Sequence, residues 1–92
     1  MGGPMDTYME KDYPWLIEEK KAIKEFVVDL KKPYLDFCIG CQLLGEVVGG
    51  KVVKSNPAEI GIMYINFSKE KDQDKLFSKF PEKIKSLSLI HI

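Results

Sequence analysis

The fold of this chain is decided by residues 33–45, which read PYLDFCIGCQLLG. The short apolar run after Pro33 predicts a buried strand. It leads into Cys38, a tight turn at Gly40 and a second apolar run of helical character, so the sequence predicts a strand–helix elbow. The N-terminus of a helix has unpaired backbone N–H groups and the positive end of the helix dipole, which favour a thiolate. Cys38 is therefore the candidate nucleophile.

The flanking segments alternate between helical and strand patterns. Apolar residues recur at helical spacing from Trp15 to Leu30, which predicts a surface helix ended by Pro33. A short helix after Cys38 is expected to stop at Gly49-Gly50. The remaining predicted elements are strands at 51–54 and 59–67 and a turn or short helix at 76–81. Strands that alternate with helices predict parallel pairing and an α/β fold.

The composition is that of one small globular domain. The chain has 92 residues, of which 14 are basic and 14 acidic, so no basic surface for nucleic acid is expected. No apolar run approaches the roughly 20 residues that span a membrane, and no signal peptide is recognisable. Two cysteines are too few for a disulfide framework, which favours a reducing cytoplasm.

Several short motifs then occur in a familiar order. They are Gly2-Gly3-Pro4-Met5, Tyr13-Pro14-Trp15-Leu16, Cys38-Ile39-Gly40-Cys41-Gln42-Leu43-Leu44, Gly49-Gly50-Lys51-Val52, Glu59-Ile60-Gly61, Leu76-Phe77 and Pro81-Glu82. Together they resemble the class I glutamine amidotransferases, especially stand-alone proteins similar to the amidotransferase domain of GMP synthase. The resemblance covers residues 1–85 as a partial domain, and residues 86–92 form a tail that departs from the family pattern.

The resemblance implies a fold and a reaction. The fold would be a flavodoxin-like, doubly wound, mostly parallel sheet, incomplete in an internal fragment that lacks N-terminal strands and the C-terminal part. Cys38 would attack the side-chain amide of glutamine to give a γ-glutamyl thioester and ammonia, while backbone N–H groups of Gly3 and Ile39 hold the oxyanion. The other implied site residues are Gly40 at the turn and Gly2 and Gln42 at the substrate.

The same resemblance implies partners and a missing base. Glutamine would be the substrate, a synthetase domain or subunit would accept the ammonia, and no metal or cofactor would be needed. The histidine and glutamate of the family's triad have no counterpart here, because the one histidine, His91, does not match the family pattern. The parent protein is expected to hydrolyse glutamine, and the fragment alone is expected to be inactive.

Two departures from the family keep alternatives open. Asp36 stands where the family usually has glycine, and a carboxylate near a thiolate disfavours the thiolate. Cys41 completes a Cys-x-x-Cys sequence with Cys38, which is also how thioredoxin-like redox proteins present their cysteines. A thiol–disulfide redox protein and a non-catalytic binding relative are therefore the two alternative interpretations.

Overall fold

The structure, a computed structural model, describes residues 1–90. The chain divides into two compact units, Met1–Val53 and Lys54–Ile92. The first unit contains α1 (Trp15–Ile23), a π-helical segment (Lys24–Asp29) and α2 (Ile39–Val47). The second contains β1 (Glu59–Asn66), a 3-10 helix (Lys69–Gln73) and β2 (Lys83–Ile90).

The first unit is built around the packing of α1 against α2. Its buried core consists of Leu16 and Ile23 from α1 and Ile39 and Leu43 from α2. Leu16 and Leu43 are both fully buried, so truncating either to alanine is expected to cost about 2–5 kcal/mol. The partly buried hydrophobic residues around this core are Met5, Met9, Tyr13, Val27, Tyr34, Leu44 and Val47.

The N-terminal segment is fastened to both helices by a polar network. The buried Thr7 hydroxyl donates to Glu46 Oε1 at 2.8 Å, and Lys20 Nζ lies 2.8 Å from Glu46 Oε2. Lys20 also donates to Glu10 at 2.8 Å. Burial lowers the pKa of Lys20, but the hydrogen bonds to Glu10 and Glu46 outweigh it and raise that pKa. The segment before α1 is thereby held against α2.

Both predicted helices are confirmed. The first extends from Trp15 through Ile23 and continues as π-helix to Asp29, after which Lys31 adopts a positive φ of 50°. The second ends at Val47, and Gly49 follows with φ of 96°, the left-handed conformation expected of a glycine that stops a helix.

Two of the predicted strands are wrong. Residues 31–37, before Cys38, and residues 51–54 lie outside any helix or strand. Both runs have the composition of strands, but a strand also needs a neighbour for its backbone hydrogen bonds. Among residues 1–90, only 59–66 and 83–90 provide that pairing.

The second unit is an antiparallel pair of strands. The strand predicted over 59–67 is confirmed as β1, which pairs with β2 in a register from Glu59 opposite Ile90 to Asn66 opposite Lys83. The predicted parallel pairing is therefore wrong for these two strands. Their connection contains a short 3-10 helix and a turn over 75–79, rather than the crossover helix that usually joins parallel strands. The turn itself was predicted.

An aromatic cluster folds this connection back on the strands. The rings of Phe67, Phe77 and Phe80 lie with centroids 5.5–5.9 Å apart. The Phe67 N–H donates to the Glu82 carbonyl at 2.9 Å, which continues the ladder beyond β1. The cluster explains why a long connection still returns as an antiparallel pair.

β2 was not predicted, and the structure shows the burial pattern of a strand there. Lys83–Ile90 alternates in burial along its length, with Ile84, Ser86, Ser88 and Ile90 on the half-buried side. That period of two is typical of a strand. β2 extends across the predicted boundary between residues 85 and 86. Residues 91–92, at the end of the predicted 86–92 tail, lie outside the described residues.

Candidate active site

Cys38 lies at a sharp bend that leads into the start of α2. It is the residue immediately before Ile39, with φ of 58° and ψ of −125°, and it is exposed and not disulfide-bonded. A positive φ in a residue other than glycine costs on the order of 1–3 kcal/mol and is concentrated at functional sites. The predicted elbow is thus present as an extended segment, a bend and a helix, with no strand before the bend.

The backbone around the bend is tightly closed. The Gly40 N–H donates to the Phe37 carbonyl at 3.2 Å, and the Cys41 N–H donates to the Cys38 carbonyl at 3.1 Å. Ile39 begins α2, so its N–H is one of the first four that have no partner within the helix. Such a group, beside an exposed thiol, is suited to hold a negatively charged oxygen.

Asp36 turns its carboxylate inward beneath the bend. Its side chain is 4% exposed. The carboxylate accepts hydrogen bonds from the Met1 amine at 2.6 Å, from the Phe37 N–H at 2.7 Å and from the Tyr34 hydroxyl. Burial favours the neutral acid, but these three donors outweigh it and lower the pKa of Asp36. The carboxylate is therefore satisfied as an anion by these three donors.

The pKa of Tyr34, which donates to this carboxylate, shifts in the opposite direction. Burial, followed by the hydrogen bond to Asp36, raises the pKa of the Tyr34 phenol far above its usual value. The tyrosine therefore stays protonated and keeps donating. Side chains two apart in an extended segment lie on the same face, so the spacing of Tyr34 and Asp36 was the sequence signal for this contact.

Gly40 is required by Asp36. A Cβ added at Gly40 would overlap the carboxylate group of Asp36. The turn was predicted to need a glycine for its backbone, but Gly40 lies within α2 and is not among the glycines with a positive φ. The reason for a glycine here is the occupied space beside it.

Cys41 lies one helical turn after Cys38, and its side chain points back toward the N-terminal end of α2. Its thiol donates to the Asp36 carbonyl at 3.1 Å. Burial, then the electrostatic interaction with the Asp36 carboxylate, raises the pKa of Cys41. Cys41 is therefore a protonated thiol at neutral pH.

The N-terminal segment that contains Gly2 and Gly3 approaches the Cys38 bend through Met1. Met1 contacts Asp36 through its amine, which also interacts electrostatically with Cys38 and Cys41. Gly2 and Gly3 are exposed. This brings the segment to the edge of the elbow, whereas the role assigned to the Gly3 N–H stays a prediction.

The other predicted residues occupy different environments. Ile39 and Gly40 are buried, so Ile39 can offer only its backbone to a ligand, and Gln42 is half-buried on α2. His91 lies outside the described residues. The sequence missed the network of Thr7, Glu46 and Lys20, which fixes the segment carrying the glycines and whose signal is weak because the partners are far apart in the chain.

Metal sites and membrane spans are both absent from the described part of the chain. Residues 1–90 contain no group of three or more histidine, cysteine or acidic side chains arranged to hold a metal ion. Nor does any helix within them have the length and apolar character needed to cross a membrane.

Comparison with known proteins gives a consistent picture. GMP synthase (glutamine-hydrolyzing) of Thermosipho melanesiensis is 37% identical over 82 residues, which cover 89% of this chain and 14% of the relative. The glutamine-hydrolyzing GMP synthase subunit of Sulfolobus acidocaldarius is 31% identical over 85 residues, or 92% of this chain and 40% of the relative. The corresponding protein of Picrophilus torridus is 31% identical over 90% of this chain and 39% of its own length. No solved structure gives a significant match.

The chain spans well under half the length of these relatives. The sequence model of the class-I glutamine amidotransferases matches residues 1–88, which include the bend, both helices and most of the strand pair. The chain therefore belongs to the class-I glutamine amidotransferase family.

Proposed function

We propose that this chain carries the nucleophile of a glutamine amidotransferase site. The observation that carries the proposal is the exposed Cys38 at a positive φ directly before α2, in a chain of this family. The strained bend presents the thiol outward, and the helix start beside it favours developing negative charge. A nucleophile and an anion site side by side are what acyl transfer requires.

The proposed reaction is thioester formation. The Cys38 sulfur attacks the side-chain carbonyl carbon of glutamine, and the carbonyl oxygen becomes an oxyanion held by the N–H groups of Ile39 and Gly3. When the C–N bond breaks, the nitrogen takes up a proton and leaves as ammonia. Gly2 and Gln42 are proposed to bind the glutamine, and Gly40 to permit the turn.

The base of this reaction is proposed to come from outside the described residues. A cysteine nucleophile is activated by a base and an orienting group, which this family supplies as histidine and glutamate. Two of the relatives are named as one subunit of a GMP synthase, so we propose that the ammonia passes to a synthetase domain or to a separate synthetase subunit. The two free cysteines fit a reducing cytoplasm.

Family membership favours this proposal over a dedicated thiol–disulfide redox protein. A non-catalytic binding relative would differ from an amidotransferase in the reactivity of Cys38. Cys38 and Cys41 are both exposed and lie on one turn, so Cys41 is a matched internal control for accessibility.

The test is selective alkylation of Cys38. The chain, together with the part of the enzyme that supplies the base, is treated with a diazoketone analogue of glutamine or with the corresponding analogue of asparagine, and the modified residue is identified by peptide mass spectrometry. We expect the glutamine analogue to label Cys38 in preference to Cys41, the asparagine analogue to label neither, and Cys38→Ala to remove the signal. Equal labelling of both cysteines by both analogues would show ordinary thiol reactivity and overturn the proposal.

A further inference from the structure

The N-terminal turn of α2 holds two free, exposed cysteines, Cys38 and Cys41. It is closed by the hydrogen bond from the Cys41 N–H to the Cys38 carbonyl, 3.1 Å long. A turn closed in this way keeps the Cα atoms of its end residues within about 7 Å. Disulfides need Cα atoms roughly 4.4–6.8 Å apart. The backbone of this turn therefore already meets the first requirement for a bond between the two sulfurs.

A disulfide also needs side chains that point toward each other, and the Cys41 side chain points toward the end of the helix at which Cys38 lies. The Cys41 thiol donates to the carbonyl of Asp36 at 3.1 Å, two residues before Cys38 in the chain. The Cys41 sulfur therefore lies at the N-terminal end of α2, the end at which Cys38 is placed.

We propose that Cys38 and Cys41 form a reversible intramolecular disulfide on exposure to a peroxide, and that this bond switches off the nucleophile. The switching effect rests on the proposed function, whereas the disulfide itself is a property of the chain alone. Cys38 reacts first, because it stands at the bend directly before the helix start, and Cys41 is the resolving residue. The raised pKa of Cys41 supports this order, because a protonated thiol is the poorer nucleophile.

The chemistry balances in two steps. The Cys38 thiolate attacks one oxygen of hydrogen peroxide, so an S–O bond forms, the O–O bond breaks and hydroxide leaves. This oxidises the sulfur to a sulfenic acid by two electrons. The Cys41 sulfur then attacks the Cys38 sulfur, the S–S bond forms, the S–O bond breaks, and the departing hydroxide takes the Cys41 proton as water. A dithiol reverses the result by thiol–disulfide exchange.

The experiment uses the whole chain and stoichiometric hydrogen peroxide. Loss of two hydrogens from the peptide that contains both cysteines is measured by mass spectrometry, and sulfenic acid is trapped with dimedone. We expect the wild-type chain to form the intramolecular disulfide, and Cys41→Ser to leave Cys38 as a dimedone adduct about tenfold more abundant than in wild type. Cys38→Ser should leave Cys41 unoxidised. Cys41→Ala serves as a second variant should the serine disturb the turn.

Two outcomes would overturn the inference: equal dimedone trapping in wild type and Cys41→Ser, or disulfides between chains in place of the internal bond. The consequence for function is read separately, by labelling with the glutamine analogue before oxidation, after oxidation and after dithiothreitol. Labelling that disappears and returns supports the switch. If the reduced chain is never labelled even with the base supplied, while the disulfide forms, the proposed function fails and the redox site stands.

Discussion

Gly40 and Asp36 fit together so closely that a methyl group on Gly40 would occupy the space of the Asp36 carboxylate. The carboxylate cannot move away without losing its bonds to the Met1 amine, the Tyr34 hydroxyl and the Phe37 N–H. The two residues are therefore coupled across the bend that presents Cys38.

The coupling predicts the effect of adding a methyl group. Gly40→Ala should lower the free energy of unfolding by about 1–3 kcal/mol through overpacking. The matched control is Gly45→Ala, in the same helix and with nothing within 4 Å of an added Cβ. It should raise stability by about 0.5–1 kcal/mol. Chemical denaturation of both variants measures the difference, and a similar effect in the two would contradict the packing argument.

The same pair can be tested in a double-mutant cycle. Replacing Asp36 by glycine removes the carboxylate with which the added methyl group collides. Gly40→Ala should then cost less in the Asp36→Gly background than in wild type, by about 1 kcal/mol or more. Strict additivity would show that the Asp36 carboxylate is not the group with which the added methyl group collides.

Asp36 should also make the free energy of unfolding depend on pH in the acid range. Its folded-state pKa is lowered by three hydrogen-bond donors despite burial, so the unfolded chain binds the proton more readily. The stabilisation is therefore complete above the unfolded pKa, near about 4, and is lost as the pH falls through the lower folded value. Asp36→Asn should flatten this acid limb of a plot of unfolding free energy against pH. Asp12→Asn, at an exposed position, should leave the limb unchanged.

Lys20 and Lys21 are neighbours with unequal roles. Lys20 pairs with Glu10 and Glu46 and has a side chain 21% exposed, whereas Lys21 pairs with Glu18 and is 69% exposed. Lys20→Met should cost about 1–2 kcal/mol, because Glu46 loses a charged partner while still tied to Thr7. Lys21→Met should cost less than about 0.5 kcal/mol. Urea denaturation would distinguish them, and equal losses would mean that the network does not anchor the N-terminal segment.

The 92-residue chain by itself should not turn over glutamine. A thiol nucleophile needs a base, and the sole histidine is His91. Ammonia release would be measured with the chain, with Cys38→Ala and with His91→Ala. Turnover that depends on both residues would identify His91 as the base and refute the proposal that the base is supplied from elsewhere.

The sequence predicted the local features well and the strand pairing poorly. The two helices, the glycine stop after Val47 and the bend at Cys38 follow from spacing and turn chemistry within a few residues, and all are present. Residues 33–37 have the pattern of a strand, but pairing depends on a partner that a local pattern does not contain. The inward turn of Asp36 likewise depends on the approach of Met1 from the far end of the unit.

The bend at Cys38 has a consequence for how this chain tolerates mutation. A positive φ suits glycine, so Cys38→Gly should relieve the strained backbone and raise the free energy of unfolding by about 1 kcal/mol. The greater freedom of glycine in the unfolded chain offsets part of this gain. Selection for stable folding alone would therefore tend to discard the cysteine. On the proposed function, a cysteine at this unfavourable backbone angle trades robustness of the fold for reactivity at one residue.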